Sequence, residues 1–174
     1  MQLQPSEYNA FLNDYISRVD SKPLQIALLE SGNSLLDLLE KISEKDSLFR
    51  YAPGKWSLRE MLQHIIDTDR IFTYRALCIS RGETQSLPGF DENQYALMSN
   101  ADYKSWDLLL NEYKTHRRSA ELFFEGLTND QLISSGFANN RPVSVRALGY
   151  AIAGHTHHHM SVKEENYLPG LNSQ

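Results

Sequence analysis

Apolar residues recur three and four positions apart through four long stretches of this chain, and that spacing commits it to packed helices. The clearest stretch carries Leu58, Met61, Leu62, Ile65, Phe72, Ala76 and Ile79 on one face. Its start is marked by Ser57 and Glu60, an S-x-x-E pair in which the serine oxygen accepts from the third amide and the glutamate reaches back. The spacing predicts a helix from there to about Arg81. An earlier face of Leu28, Leu35, Leu36, Leu39 and Ile42 ends in the charged, turn-rich stretch 43–54. Trp106, Leu109, Leu110, Tyr113, Ala120 and Leu127 predict a third helix from about Asp102 to Gly126, with Arg117 inside the stripe. A fourth is expected to start at Ser144 and run toward Pro169 and Gly170, which should stop it. A shorter face of Tyr8, Phe11, Leu12, Tyr15, Ile16 and Val19 ends before Pro23. No alternating run is long enough to build a sheet. The fold class this predicts is all-α: a four-helix bundle with a short extra N-terminal helix.

At 174 residues the chain is expected to form a single domain, 1–174. Its 17 Lys and Arg against 22 Asp and Glu leave a net charge of -5, which repels a phosphate backbone, so no nucleic-acid partner is expected. The lone Cys78 cannot form an internal disulfide, and the first residues carry neither a basic start nor an apolar run. No stretch reaches the ~18 apolar residues of a membrane span. The expectation is a cytoplasmic protein with no membrane partner. Cys78 reads as structural, because Arg75 and Arg81, one turn to either side, are long side chains expected to point to water. The stretch 82–100 holds two glycines and a proline and reads as an irregular lid or binding loop. A second loop is expected around Gly136, Asn139, Asn140 and Pro142.

Of six histidines, four lie between residues 155 and 159. Helical phase turns His155 and His159 toward the core with Leu148 and Ile152, sends His157 to the opposite side and leaves His158 about a quarter turn off. An inward i,i+4 pair of imidazoles can ligate one metal, and two neutral imidazoles adjoining in a core need a partner of some kind. His64, at the border of the stripe on the capped helix and in line with Thr68, Ile71 and Arg75, is a candidate third ligand from a facing helix. The bland reading of any one core histidine is a hydrogen-bonded packing residue. Asp91 and Glu92, in the 82–100 loop, are candidates for a general base or extra ligand, with solvated carboxylates as the commoner outcome. Arg117 is a candidate for holding an anionic substrate group, with a snorkelling side chain as the commoner outcome. There is no H-E-x-x-H, no phosphate-binding glycine loop and no cysteine-rich zinc motif.

Three segments together resemble the DinB-like (YfiT-like) superfamily of metal-binding four-helix bundle proteins. They are Y-A-P-G-K-W-S-L-R-E-M-L-Q-H-I-I-D-T-D-R from Tyr51 to Arg70, L-P-G-F-D-E-N from Leu87 to Asn93, and G-H-T-H-H-H from Gly154 to His159. The resemblance implies one divalent metal ion, zinc or nickel, on His64, His155 and His159. It further implies a small-molecule substrate, a homodimer, and an activity of the hydrolase or thiol S-transferase type in which water or a low-molecular-weight thiol is activated. A non-catalytic metal or small-ligand binding protein is the alternative. The segment before Pro23 takes no role from the resemblance.

Overall fold

The computed structural model describes residues 3–19 and 21–167. After a short 3-10 turn, helix α1 (Ala10–Ile16) is capped by Asn9, whose side chain accepts from the Phe11 amide. Pro23 stands at the cap of α2 (Leu24–Leu39), where its missing amide costs nothing. The predicted capping box opens α3 (Leu58–Ser80): Ser57 Oγ accepts from Glu60 N at 3.0 Å, and Glu60 Oε2 accepts from Ser57 N at 2.9 Å. Short α4 (Glu92–Met98) precedes α5 (Trp106–Glu125) and α6 (Asn129–Ile133), and α7 (Val145–Val162) passes into a π-helical turn, Lys163–Tyr167.

Helices α2, α3, α5 and α7 form the bundle. Helix α7 packs against α2 and α3, and α5 closes the ring against the same two, so α5 lies diagonally across from α7. Helix α1 lies along the outer side of α7. Its close approach depends on Gly154, where a Cβ would stand 1.9 Å from the Tyr15 carbonyl oxygen.

Burial divides the interior in two. One apolar cluster joins α1, the start of α2, the ends of α3 and α5 and the first half of α7, through residues such as Leu28, Phe72, Phe124 and Ile152. The other joins the end of α2 to the starts of α3 and α5, through Leu35, Leu62, Leu109 and Tyr113. Between them, at mid-length, runs a polar layer. Arg117 of α5 is buried there, pairs with the fully buried Asp69 of α3 at 3.2 Å, and donates to Tyr113 Oη and to Thr156 Oγ1 of α7. Gly32 of α2 makes the room, since a Cβ there would meet Arg117 Cγ at 3.0 Å. All four bundle helices therefore meet at one guanidinium.

Five expectations need correction. Residues 135–144 form an antiparallel hairpin, β1 (Ser135–Ala138) and β2 (Arg141–Ser144), rather than a plain loop. Its turn is Asn139-Asn140, with φ of 52° and 57°, a left-handed pair that asparagine tolerates and that matches strand twist. The 82–100 stretch is partly regular, because it contains α4, and Leu87 hydrogen-bonds to the hairpin through Phe137 O and Asn139 N. Helix α5 begins at Trp106 on the Ser105 cap, four residues later than expected, after a 3-10 turn at Ala101–Tyr103. Fourth, Arg117 does not snorkel. Fifth, Arg75 is buried rather than directed to water. Pro169 and Gly170, the expected helix stop, lie outside the described residues. No helix among the described residues is long and apolar enough to cross a membrane.

Candidate metal centre

The polar layer continues from Thr156 into the histidines beside it. His155 and His159 stand one turn apart on α7 and both are buried, as helical phase predicts. His64 reaches them from α3. Its Nε2 lies 3.0 Å from His155 Nε2, which lies 3.0 Å from His159 Nε2. One nitrogen from each ring falls within 4.8 Å of the other two, the arrangement in which three imidazoles can grip a single ion. Tetrahedral coordination with metal–nitrogen bonds of about 2.0–2.1 Å sets neighbouring nitrogens about 3.3 Å apart, so the two separations made by His155 match it to within tenths of an ångström.

The electrostatics agree with that use. Burial, with His158 nearby, pushes His64 down to about 4, while burial and the neighbouring rings hold His155 and His159 well below the ordinary histidine value. All three are neutral at pH 7, and a neutral ring has a lone pair to offer. The Nδ1 atoms of His155 and His159 are buried without a hydrogen-bond partner among the described residues. The simple packing reading required satisfied rings, and these are not satisfied.

Around the rings, Trp56 stacks at a tilt on His64 and Tyr15 sets its edge against His155 at 5.2 Å between centroids. Tyr15 also meets His158 at 5.6 Å, which leaves His158 half-buried between Tyr15 and His159. His157 is half-buried on the far side. A cavity of about 230 Å³ opens on His64 and His155. Its walls come from α1, α3, the 87–92 segment and the hairpin, including Tyr15, Thr68, Phe72, Arg75, Phe90 and Arg141.

Asp91 does not join the cluster. Its Oδ1 accepts from Asn93 N and Gln94 N and so caps α4. Arg117 does not line the cavity either; it backs the rings through Thr156. Cys78 is half-buried and stands apart from the rings. Sequence reasoning missed Tyr15, Asp69 and the burial of Arg75. Of these only Asp69 left a trace, a carboxylate within the buried turn between Ile65 and Phe72.

The DinB superfamily profile matches residues 27–162, most of the chain. The chain belongs to the DinB superfamily. Helix α1, with Tyr15, precedes the matched range. A protein of Oceanobacillus iheyensis named as a candidate metal-dependent hydrolase is 22% identical over 130 residues, covering 74% of this chain and 75% of that one. Among solved structures, YfiT from Bacillus subtilis superposes with a TM-score of 0.70 at 15% identity, over 92% of this chain and 88% of that one. It is described as a candidate metal-dependent hydrolase with an unusual four-helix bundle topology. The mycothiol-dependent maleylpyruvate isomerase superposes with a TM-score of 0.67 at 12% identity, over 80% of this chain and 60% of that one. At such identities the structural likeness is one of fold.

Proposed function

We propose that this protein is a divalent-metal-dependent enzyme in which His64, His155 and His159 hold the ion and the adjoining cavity admits a small-molecule substrate. The observation that carries the reading is the convergence of three neutral imidazole nitrogens, with His155 Nε2 3.0 Å from each of the other two, at the end of an open cavity. Three protein ligands and an accessible side are the pattern of a catalytic site, whereas structural sites close with a fourth protein ligand. Asp91, which a closed site would call on, is occupied at its cap. That favours an enzyme over a storage or binding protein.

Imidazole suits zinc and nickel, and either ion, when bound, lowers the pKa of water or thiol enough to supply a nucleophile at neutral pH. The chain's own residues contribute position and exclusion. Helices α3 and α7 fix the rings, Trp56 and Tyr15 wall them off from bulk water, and Thr68 Oγ1, buried and unpaired among the described residues, offers a hydrogen bond within the cavity. The two nucleophiles divide the hydrolase reading from the thiol S-transferase reading, and similar proteins are named as a metal-dependent hydrolase and as a thiol-dependent isomerase. Measuring the consumption of activated esters and alkylating electrophiles with and without a low-molecular-weight thiol decides between them. Turnover with metal but without thiol supports hydrolysis; turnover only with both supports transfer; none with any metal and thiol contradicts the enzyme reading. A cytoplasmic homodimer remains our expectation, and light scattering tests the dimer.

A further inference from the structure

The histidines account for one end of the cavity, and the opposite end holds a charge that no carboxylate among the described residues pairs with. Arg75 follows His64 by 11 residues on α3, three turns on and within about 20° of the same face. That places its Cα about 16 Å along the helix from His64, toward the end of the cavity away from the rings. Arg75 is only 7% exposed. The other buried arginines each have a carboxylate: Arg59 has Glu44, Arg117 has Asp69 and Arg146 has Glu7. Arg75 forms no ion pair among the described residues, and burial alone acts on its ionisation, pulling it down. Glu92, the acidic group in the same wall, acts on Tyr15 instead. One Nη2 of Arg75 donates to Pro88 O at 2.6 Å, and the rings of Phe72 and Phe90 flank the guanidinium at 5.7 and 5.9 Å.

A desolvated guanidinium without a counter-charge is costly, and it is retained where something else supplies the anion. Its planar fork suits a carboxylate or phosphate, and the two phenyl rings restrict it to one orientation. Arg141 on β2 adds a second guanidinium to the wall. Phe72, Leu12 and Leu148 give the cavity an apolar strip, while Thr68, Asn9 and Asn139 make the rest of its wall polar.

We propose that the cavity selects an elongated organic anion, whose oxyanion headgroup docks on Arg75, whose apolar body lies against Phe72, and whose reacting group reaches the three histidines. The last clause rests on the metal reading; the anion site itself does not. Specificity then comes from charge at one end and chemistry at the other.

Isothermal titration of the full chain, as purified and after chelation, tests this with phenylbutyrate, its neutral counterpart phenylbutanol, and phenylpropyl phosphate. The acid or the phosphate is expected to bind at least about tenfold tighter than the alcohol in both preparations, because charge-assisted hydrogen bonds are at stake. Whichever anion binds tighter identifies the headgroup. Arg75→Gln is expected to abolish the preference and leave the alcohol unaffected, while Arg75→Lys keeps part of it. An anion preference that appears only in metal-loaded protein and survives Arg75→Gln places the anion on the metal and overturns the proposal, leaving the metal reading intact. A preference that persists in chelated protein, beside histidine variants that retain full metal, does the reverse. Should Arg75→Gln fail to fold, the wild type still decides: equal affinity for acid and alcohol, or no binding of either anion, overturns the proposal.

Discussion

Lowering the pH of the metal-free protein from 6.5 to 5 should destabilise it steeply, for a reason located in three rings. His64 is pushed down to about 4, and His155 and His159 lie well below the ordinary value of 6.5. A group whose folded pKa is depressed contributes stability that is present above its unfolded pKa and lost as pH falls. At these positions the unfolded chain binds about one and a half more protons than the folded one at pH 6.5 and nearly three more at pH 5; His116, which burial also pushes down to about 4, adds a smaller, solvent-screened contribution of the same sign. Each such proton is worth about 1.4 kcal/mol per pH unit. Asp69 works the other way. Burial pushes its carboxyl up to about 6 against the pull of Arg117, so the folded state binds its proton first and recovers most of one unit. The net expectation is a loss of roughly 2–3 kcal/mol per pH unit, against a total stability of about 5–15 kcal/mol for such a domain. Urea unfolding in chelator at half-unit pH steps measures it. His64→Gln should lower the slope by about one proton's worth. A flat profile between pH 6.5 and 5 would show that the rings are hydrated or already charged, and would refute the buried, neutral cluster.

Other expectations follow from single contacts. Gly154→Ala places a methyl 1.9 Å from the Tyr15 carbonyl, so α1 must retreat by about 1.5 Å; overpacking of this kind costs about 1–3 kcal/mol in urea unfolding, and an unchanged midpoint would contradict the close approach. Ser57→Ala removes the cap of α3 together with a hydrogen bond to Asp102, and should cost about 1–2 kcal/mol by the same assay. Arg117→Met leaves Asp69 buried without its partner and should cost about 3–5 kcal/mol, whereas the double replacement Asp69→Leu with Arg117→Met should cost less than the single one. Equal losses would mean that the pair is not coupled.

Much of this was readable in order along the chain, because it is local. The inward phase of His155 and His159 follows from 3.6 residues per turn, and the start of α3 follows from Ser57 and Glu60. What stayed hidden depends on contacts between distant segments. Arg117 reads as a snorkelling side chain until Gly32 and Asp69, from two other helices, are brought to it. Arg75 reads as a surface residue until Pro88 and Phe90 fold over it. Asp91 reads as a loop carboxylate because a helix as short as α4 gives little periodicity. The hairpin did carry a local signal, the Asn139-Asn140 pair, but its strands are only four residues each, too short for alternation to stand out. The role of α1 rests on a glycine in another helix, and nothing near Tyr15 in sequence points to His155.

The most direct measurement is metal content. After loading with zinc or nickel and exhaustive dialysis, the wild type should retain one ion per chain, and His64→Ala, His155→Ala and His159→Ala should each retain far less while keeping the helical circular dichroism of the parent. Stoichiometric metal in all three folded variants, or none in the wild type, would contradict the three-histidine centre.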